Sequence, residues 1–256
     1  MAHDRRNFLS RAVAGASVLA LGACKGPSET TWFPKVLDSA EGLTKRVQRL
    51  FAGPKTLAPE FAKADISPFF KANGTLNPGT DAYNTAVTNN FRDWQVSMGG
   101  LVEHPLILSV AELRAMPSRT QITRHDCVEG WSCIGEWTGA PLKNILALAA
   151  PRANARYVVF YCADPMSSDP TDPQFYYESL DLIEACHPQT ILAYDMNGAP
   201  LTVPHGAPVR LRCERQLGYK HAKYIQRLEL VESFDHINGG NGGYWEDNGY
   251  TWWAGI

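Results

Sequence analysis

The residue of this chain best placed to do chemistry is Cys127. It stands in the run Thr123-Arg124-His125-Asp126-Cys127-Val128-Glu129-Gly130-Trp131-Ser132-Cys133. Gln121 to Cys127 reads as a strand, and the glycine- and tryptophan-bearing residues after it read as a loop. Pro141 to Leu148 then reads as a short helix. A cysteine at a strand end, behind Arg124 and His125, is placed to be a thiolate, because nearby positive charge lowers a thiol pKa from about 8.5. A thiolate is a soft metal ligand or a nucleophile. An isolated cysteine is more often a small buried residue, and here the neighbours reverse that.

The other cysteines narrow the chemistry. Cys24, Cys133, Cys162, Cys186 and Cys213 complete the six. The Cys127/Cys133 spacing matches no common zinc pattern, and no Cys-x-x-Cys or Cys-x-x-Cys-His exists for zinc, iron–sulfur or c-type haem. Cys186 and Cys213 flank apolar elements and are expected to be buried free thiols. The spacing fixes no disulfide connectivity. His104, His187 and His236 read as structural. A net charge of −2 argues against a nucleic-acid partner. The 256 residues suffice for one large domain or two small ones.

The order Arg-His-Asp-Cys-Val-Glu-x-Trp-Ser, then Trp137-x-Gly139-x-Pro141-Leu142, resembles the molybdenum-cofactor domain of the sulfite oxidase family. It is most similar to the exported bacterial branch that includes the periplasmic methionine-sulfoxide reductase catalytic subunits. The resemblance runs from about Asn89 to Leu230. It implies an α+β fold of the sulfite-oxidase type, with mixed, mainly β sheets and short helices around a molybdopterin carrying one molybdenum. It makes Cys127 the one protein ligand to the metal and places Cys162 where the reductase branch has a threonine near it. Asn89, Arg92 and Asp93 fall where the family lines the pterin, with Arg92 and Asp93 in place of a tyrosine and a glutamate. His205-Gly206-Ala207-Pro208-Val209-Arg210 resembles the segment whose arginine grips the pterin phosphate. An arginine suits that task, since its planar fork binds two phosphate oxygens. Gly218-Tyr219-Lys220-His221-Ala222-Lys223 resembles the segment that brings His221, Ala222 and Lys223 to the phosphate end. Read without the family, Arg210 and Lys223 are as readily solvated strand charges.

The elements that must position these residues follow from pattern. Residues 1–24 read as a targeting signal: Arg5-Arg6-Asn7-Phe8-Leu9 is a twin-arginine pattern, and Leu21-Gly22-Ala23-Cys24 resembles a lipoprotein processing box. Residues 25–88 read as a tether and a helical segment, with Ser39 to Phe51 helical and Leu43, Val47, Leu50 and Phe51 on one face. Residues 89–256 are the expected oxidoreductase domain. Pro59 to Ala64 reads as a short helix, and nothing catalytic stands out between Leu57 and Asp81. Strands are expected at Trp94–Met98, Leu101–Leu108, Ala155–Cys162 and Leu228–Val231, and a helix at Ser179–Ala185. Ser109-x-x-Glu112 is a capping box before a helix closed by Pro117. Asn197-Gly198 turns a hairpin between Ile191–Asp195 and Pro200–Val203. The glycine- and aromatic-rich tail from Gly239 is expected to wrap the domain.

The resemblance implies an envelope oxidoreductase that moves an oxygen atom to or from a small or protein-borne substrate. Its electrons would pass to a membrane b-type cytochrome or a soluble c-type cytochrome. Sulfite oxidases follow the metal cysteine with Gly-Asn-Arg-Arg, and here no arginine follows before Arg152. A neutral sulfoxide or N-oxide is therefore favoured. The alternatives are a sulfite dehydrogenase of the same family, a non-catalytic cofactor- or partner-binding lipoprotein, or a thiol redox protein.

Overall fold

A computed structural model describes residues 33–167, 169 and 174–256 of the chain, with side chains from Ala40 onward. The export and lipidation signals read at residues 1–24 lie outside these. The chain divides into two compact units at Gln48–Arg49, and the account below concerns the second, Arg49–Ile256. Helix α1, Phe33–Ala52, crosses that boundary and ends at Gly53, whose φ is +54°. The helix thus begins at Phe33, ahead of the expected start at Ser39. Its anticipated apolar face is exposed where it ends, Phe51 being 85% accessible.

Helix α2 (Asp81–Thr88) precedes β1 (Gln95–Gly100) and β2 (Leu106–Ser109). Helix α3 (Val110–Ala115) opens on the expected box, with Ser109 accepting from the Glu112 amide and the Glu112 carboxylate accepting from Ser109 N at 2.8 Å. Strands β3 (Arg119–Asp126) and β4 (Ser132–Pro141) form a hairpin whose tip carries Cys127. Helix α4 (Leu142–Ala149) follows, then β5 (Tyr157–Pro165), β6 (Phe175–Asp181), helix α5 (Leu182–Ala185), and β7 (Ile191–Met196). Strands β8 (Ala199–Pro200), β9 (Arg210–Arg212) and β10 (Ile225–Val231) precede a last short helix, α6 (Tyr244–Asp247).

The strands make two sheets. One runs β2-β1-β10-β5-β6, in which only the β1–β10 pair is parallel. The other runs β3-β4-β7-β8, with β9 also on β7. Asn197-Gly198 makes the expected turn, both residues having positive φ. Helix α4 buries Leu142, Ile145, Leu146 and Ala149, an i, i+3, i+4, i+7 stripe. That stripe joins Val158, Phe160, Leu228 and Leu230 in the main core. Each of these leucine, isoleucine, valine and phenylalanine side chains stabilises the fold by about 1.5–3 kcal/mol. On the opposite face Val159 and Tyr177 pack against Val231 and Ile237, so Val158-Val159-Phe160 is buried throughout.

Three expectations fail for a physical reason. Ser179–Asp181 is strand, not helix: Ser179 pairs with Val159 and Asp181 with Tyr157, and the helix starts only after Asp181 caps it. Because every side chain from Tyr176 to Asp181 is buried, the strand shows no alternation that could separate it from a helix. Cys186 is exposed rather than buried, since it caps the end of α5. The expected helix at Pro59–Ala64 shrinks to a 3-10 turn at Lys63–Asp65, because Glu60 instead bridges to Thr123.

Candidate cofactor site

Cys127 closes the β3–β4 hairpin. Its amide donates to Trp131 O at 2.9 Å and its carbonyl accepts from Gly130 N at 3.0 Å. The turn sets the cysteine at the floor of a cleft enclosing about 740 Å³, counting its open mouth. Asn73–Thr75, Asp164 and Met166, Gly218, Tyr219, His221 and Lys223 line it, together with Tyr176, Trp245 and Tyr250. That volume is of the size that takes a cofactor or substrate.

Behind Cys127 lies a buried cationic stack. Trp137 is fully buried, with the Arg212 guanidinium 4.3 Å and that of Arg210 4.9 Å from its ring centre. Arg212 is neutralised by Glu214, Nε to Oε1 at 2.9 Å, and also reaches His125 Nδ1 at 2.9 Å. The rings of His125 and His221 meet edge to face at 5.0 Å. Burial and the cations Arg212, Arg210 and Lys223 hold His125 well below the usual histidine range. Burial and Arg212 do the same to His221. Both rings are therefore neutral.

The expected thiolate is not what the free protein holds. Burial pushes the Cys127 thiol up, and this outweighs the main-chain hydrogen bonds at Glu129 and Val128 and the charge of Lys71, which pull it down, the Glu129 charge adding to the rise. Neither expected cation acts on the thiol: His125 is neutral, and the charge of Arg124 is paired with Asp126 at 2.8 Å.

Arg210 is buried on β9 with few partners. It donates to His205 O at 3.0 Å and to His221 O at 3.5 Å, while its Nε has none. Burial, then the charge of Arg212, lowers its pKa to about 9. Lys223 is buried as well, its ammonium donating to Asn73 O at 2.7 Å, Pro204 O at 3.0 Å and Thr75 O. Burial and Arg210 pull it down to about 7. Neither residue is a solvated strand charge. Gly206 (φ +97°) is the close approach between them: a Cβ there would stand 2.9 Å from Lys223 Cγ and 3.2 Å from Arg210 Cβ. At Gly218 a Cβ would lie 2.6 Å from His125 Nε2.

The structure gathers Cys127, His221 and Lys223 at the cleft and Arg210 behind them. His205 stands apart from the lining: its ring lies between Thr202 Oγ1 (2.8 Å) and Phe70 O (3.2 Å), and only its carbonyl reaches Arg210. Ala222 has both main-chain groups bonded within the chain, its carbonyl to Leu211 N at 2.8 Å. Cys162 is interior to β5, its thiol pushed well up by burial and Asp164, and is not part of the lining. Asn89 and Asp93 bond each other at 2.8 Å and line a separate hollow with Trp94 and Gln226. Arg92 is exposed beside them.

Sequence reasoning missed Asn73–Thr75, in the stretch where nothing catalytic stood out, and it missed Asp164. Asp164 had a signal: it is an acid in an otherwise apolar strand. Its Oδ1 is buried without a partner, and burial raises its pKa from 3.8 to about 6.

These groups fit a molybdopterin. Arg210 Nε, His125 Nε2, His221 Nδ1 and Asp164 Oδ1 are buried polar atoms lacking partners, as a polar ligand would require. Among the described residues no group of three or more His, Cys, Asp or Glu could hold a metal. The comparisons agree. Residues 84–236 match the model of the oxidoreductase molybdopterin binding domain. The chain belongs to this family and is a molybdopterin-dependent oxidoreductase.

Its relatives are more particular. Over 251 residues, 98% of this chain and 87% of the relative, it is 35% identical to a protein of Azospira oryzae provisionally named protein-methionine-sulfoxide reductase subunit YedZ1. It is 39% identical over 159 residues to the protein-methionine-sulfoxide reductase catalytic subunit MsrP of Xanthomonas axonopodis pv. citri, covering 60% of this chain and 49% of that one. The chain thus spans about half the length of the MsrP relatives it matches. Among solved structures, the sulfane dehydrogenase SoxCD of Paracoccus pantotrophus matches 56% of this chain and 39% of that chain, at a TM-score of 0.49 and 22% identity.

The buried acid yields a pH test on cofactor-free protein. Asp164 titrates at about 6 when folded and near 3.8 when unfolded. Between these values the folded chain holds the extra proton, so stability should fall as pH rises from about 4 to 6. The full loss is about 3 kcal/mol. Lys223, depressed to about 7, acts in the opposite sense above that pH, where the unfolded chain holds the extra proton. Urea unfolding of the parent and of Asp164→Asn at pH 4 and 6 should show the drop only in the parent. Equal slopes in the two proteins would remove Asp164 as its source.

Proposed function

We propose that the chain is the catalytic subunit of an envelope sulfoxide reductase acting on the S-oxide of methionine, free or within proteins. Its similarity to the named methionine-sulfoxide reductase subunits carries this reading. The cleft supports a neutral substrate. Lys223 is the one Lys or Arg among the described lining residues, and its ammonium is turned into three backbone carbonyls. With both imidazoles neutral and Lys223 assigned to the cofactor phosphate, no other lining residue carries a positive charge to draw an anionic substrate such as sulfite.

The bound cofactor supplies a two-electron change coupled to oxygen-atom transfer. Cys127 would ligate the metal. Arg210 and Lys223 would hold the phosphate, each relieved of an uncompensated burial by the anion. His125 Nε2 and His221 Nδ1 would orient the ring system. Asp164, protonated at Oδ1 or Oδ2 up to about pH 6, can donate one of the two protons that reduction of a sulfoxide to a thioether and water consumes.

The pattern at Arg5-Arg6 and the box at Leu21 to Cys24 support export by the twin-arginine route with a lipid anchor on Cys24. A membrane b-type cytochrome, or a soluble c-type cytochrome, would deliver the electrons. The deciding experiment is a solution assay of the cofactor-loaded protein. Reduced viologen should be oxidised on addition of methionine sulfoxide, and ferricyanide should not be reduced on addition of sulfite. Rapid sulfite oxidation without sulfoxide turnover would reverse the assignment.

A further inference from the structure

The tail that follows β10 extends past residue 236, where the family match ends, yet it supplies two walls of the cleft, Trp245 and Tyr250. Their rings stack at 5.3 Å and 27°. Tyr250 meets Tyr219 edge-on at 5.1 Å, and Tyr219 Oη donates to Thr251 O at 2.7 Å. One aromatic face thus runs from the turn at Gly218–Lys220 into the tail. It shares the cleft with Met166 and with Cys127.

The tail is held there by groups that have no part in gripping a cofactor. Lys220, immediately after Tyr219, has its ammonium between the carboxylates of Glu246, at 2.6 Å, and Glu178. All three side chains are at most 1% accessible. Asp247 accepts from Gly239 N and Asn241 N at 3.0 Å each and from Tyr177 Oη. Beyond Tyr250, Trp252 Nε1 donates to Ser179 Oγ at 2.8 Å, and Leu217 N donates to Ala254 O at 2.9 Å. The segment bearing Trp245 and Tyr250 is therefore a strap pinned on both sides. A buried ammonium with two carboxylates is an expensive fastening, and its effect is to fix where those rings stand.

An aromatic face attracts a sulfur group at about 5 Å with 0.3–1.5 kcal/mol, and its negative quadrupole repels an anion. We propose that Trp245 and Tyr250 are specificity-determining residues that seat the thioether-bearing side chain of the substrate, and that the Lys220–Glu178–Glu246 cluster positions them. This rests on the sulfoxide reading of the same cleft.

The test uses the cofactor-loaded enzyme with two readouts: steady-state reduction of methionine sulfoxide, and calorimetric binding of N-acetylmethionine amide, the thioether form. Trp245→Ala and Tyr250→Ala should each raise KM and Kd about tenfold, with a smaller change in kcat. Glu246→Leu should weaken thioether binding in the same way by loosening the strap, while Glu246→Gln, which keeps a hydrogen bond to Lys220, should restore most of it. A parent that reduces the sulfoxide while Trp245→Ala and Tyr250→Ala keep KM and Kd within twofold would overturn the aromatic wall alone. So would a fall in kcat at constant KM. If Glu246→Leu folds and binds like the parent, the positioning cluster falls. A parent that neither turns over the sulfoxide nor binds the thioether would overturn the sulfoxide reading and the wall together.

Discussion

Cofactor-loaded Cys127→Ser is expected to fold as the parent does and to lose turnover by more than the roughly 100-fold that removal of an outer partner of a metal site costs. Folding should be spared because the hairpin tip is held through the main chain, Cys127 N to Trp131 O and Gly130 N to Cys127 O. Serine keeps both bonds and nearly the same volume. What it loses is a polarisable sulfur donor, replaced by a hard oxygen that sets a different ligand field. Pterin should stay bound through Arg210 and Lys223, so cofactor content separates this outcome from simple loss of the site. Cys133→Ser is the control. Its thiol is half-buried against Phe69 O at 3.8 Å, and most activity should remain. Near-parental turnover, or an unchanged sulfur count in X-ray absorption at the metal edge, would remove Cys127 as the ligand.

Arg210→Ala should show the opposite division between cofactor and fold. In the free protein Arg210 is a buried charge with two carbonyl partners and an unmatched Nε, lying 4.9 Å from Trp137 beside the second cation Arg212. An ion so placed contributes little to stability and relieves repulsion when removed. Loss of cation–π contact and packing works against that gain, at about 1–2 kcal/mol. The cofactor-free variant should therefore melt within a few degrees of the parent. Its bound pterin should nevertheless fall at least tenfold after dialysis, because the phosphate loses a charge-assisted, bidentate partner worth about 1.5–3 kcal/mol. Full pterin retention would assign the phosphate grip elsewhere. A fall of more than 10 °C in the cofactor-free protein would show Arg210 to be a structural residue first.

The sequence alone located Cys127 at a strand end, because the glycine- and tryptophan-bearing loop that follows it is a local signal that the β3–β4 hairpin obeys. It located Arg210 and Lys223 through the resemblance of short segments. The Ser109 box and the Asn197-Gly198 turn were legible for the same reason: backbone groups a few residues apart satisfy one another, whatever the rest of the chain does. The family itself was carried by the run from Arg124 to Leu142.

Only the tertiary structure decided the electrostatics and the walls. The charge state at Cys127 could not be read from Arg124 and His125, because burial sets it, and because Arg212 bonds His125 from 87 positions away and holds it neutral while Asp126 pairs with Arg124. Strand β6 was hidden because burial on both faces erases alternation. Asn73–Thr75 joins the cleft through backbone carbonyls that Lys223 reaches from 150 positions away at Asn73, and main-chain acceptors leave no mark in residue type. Trp245 and Tyr250 reach it because the Lys220 ammonium and two distant carboxylates leave water together. A pairing of that kind depends on the fold that buries all three, so the sequence determined the family and the place of Cys127 at a strand end, and the packing determined what surrounds that cysteine.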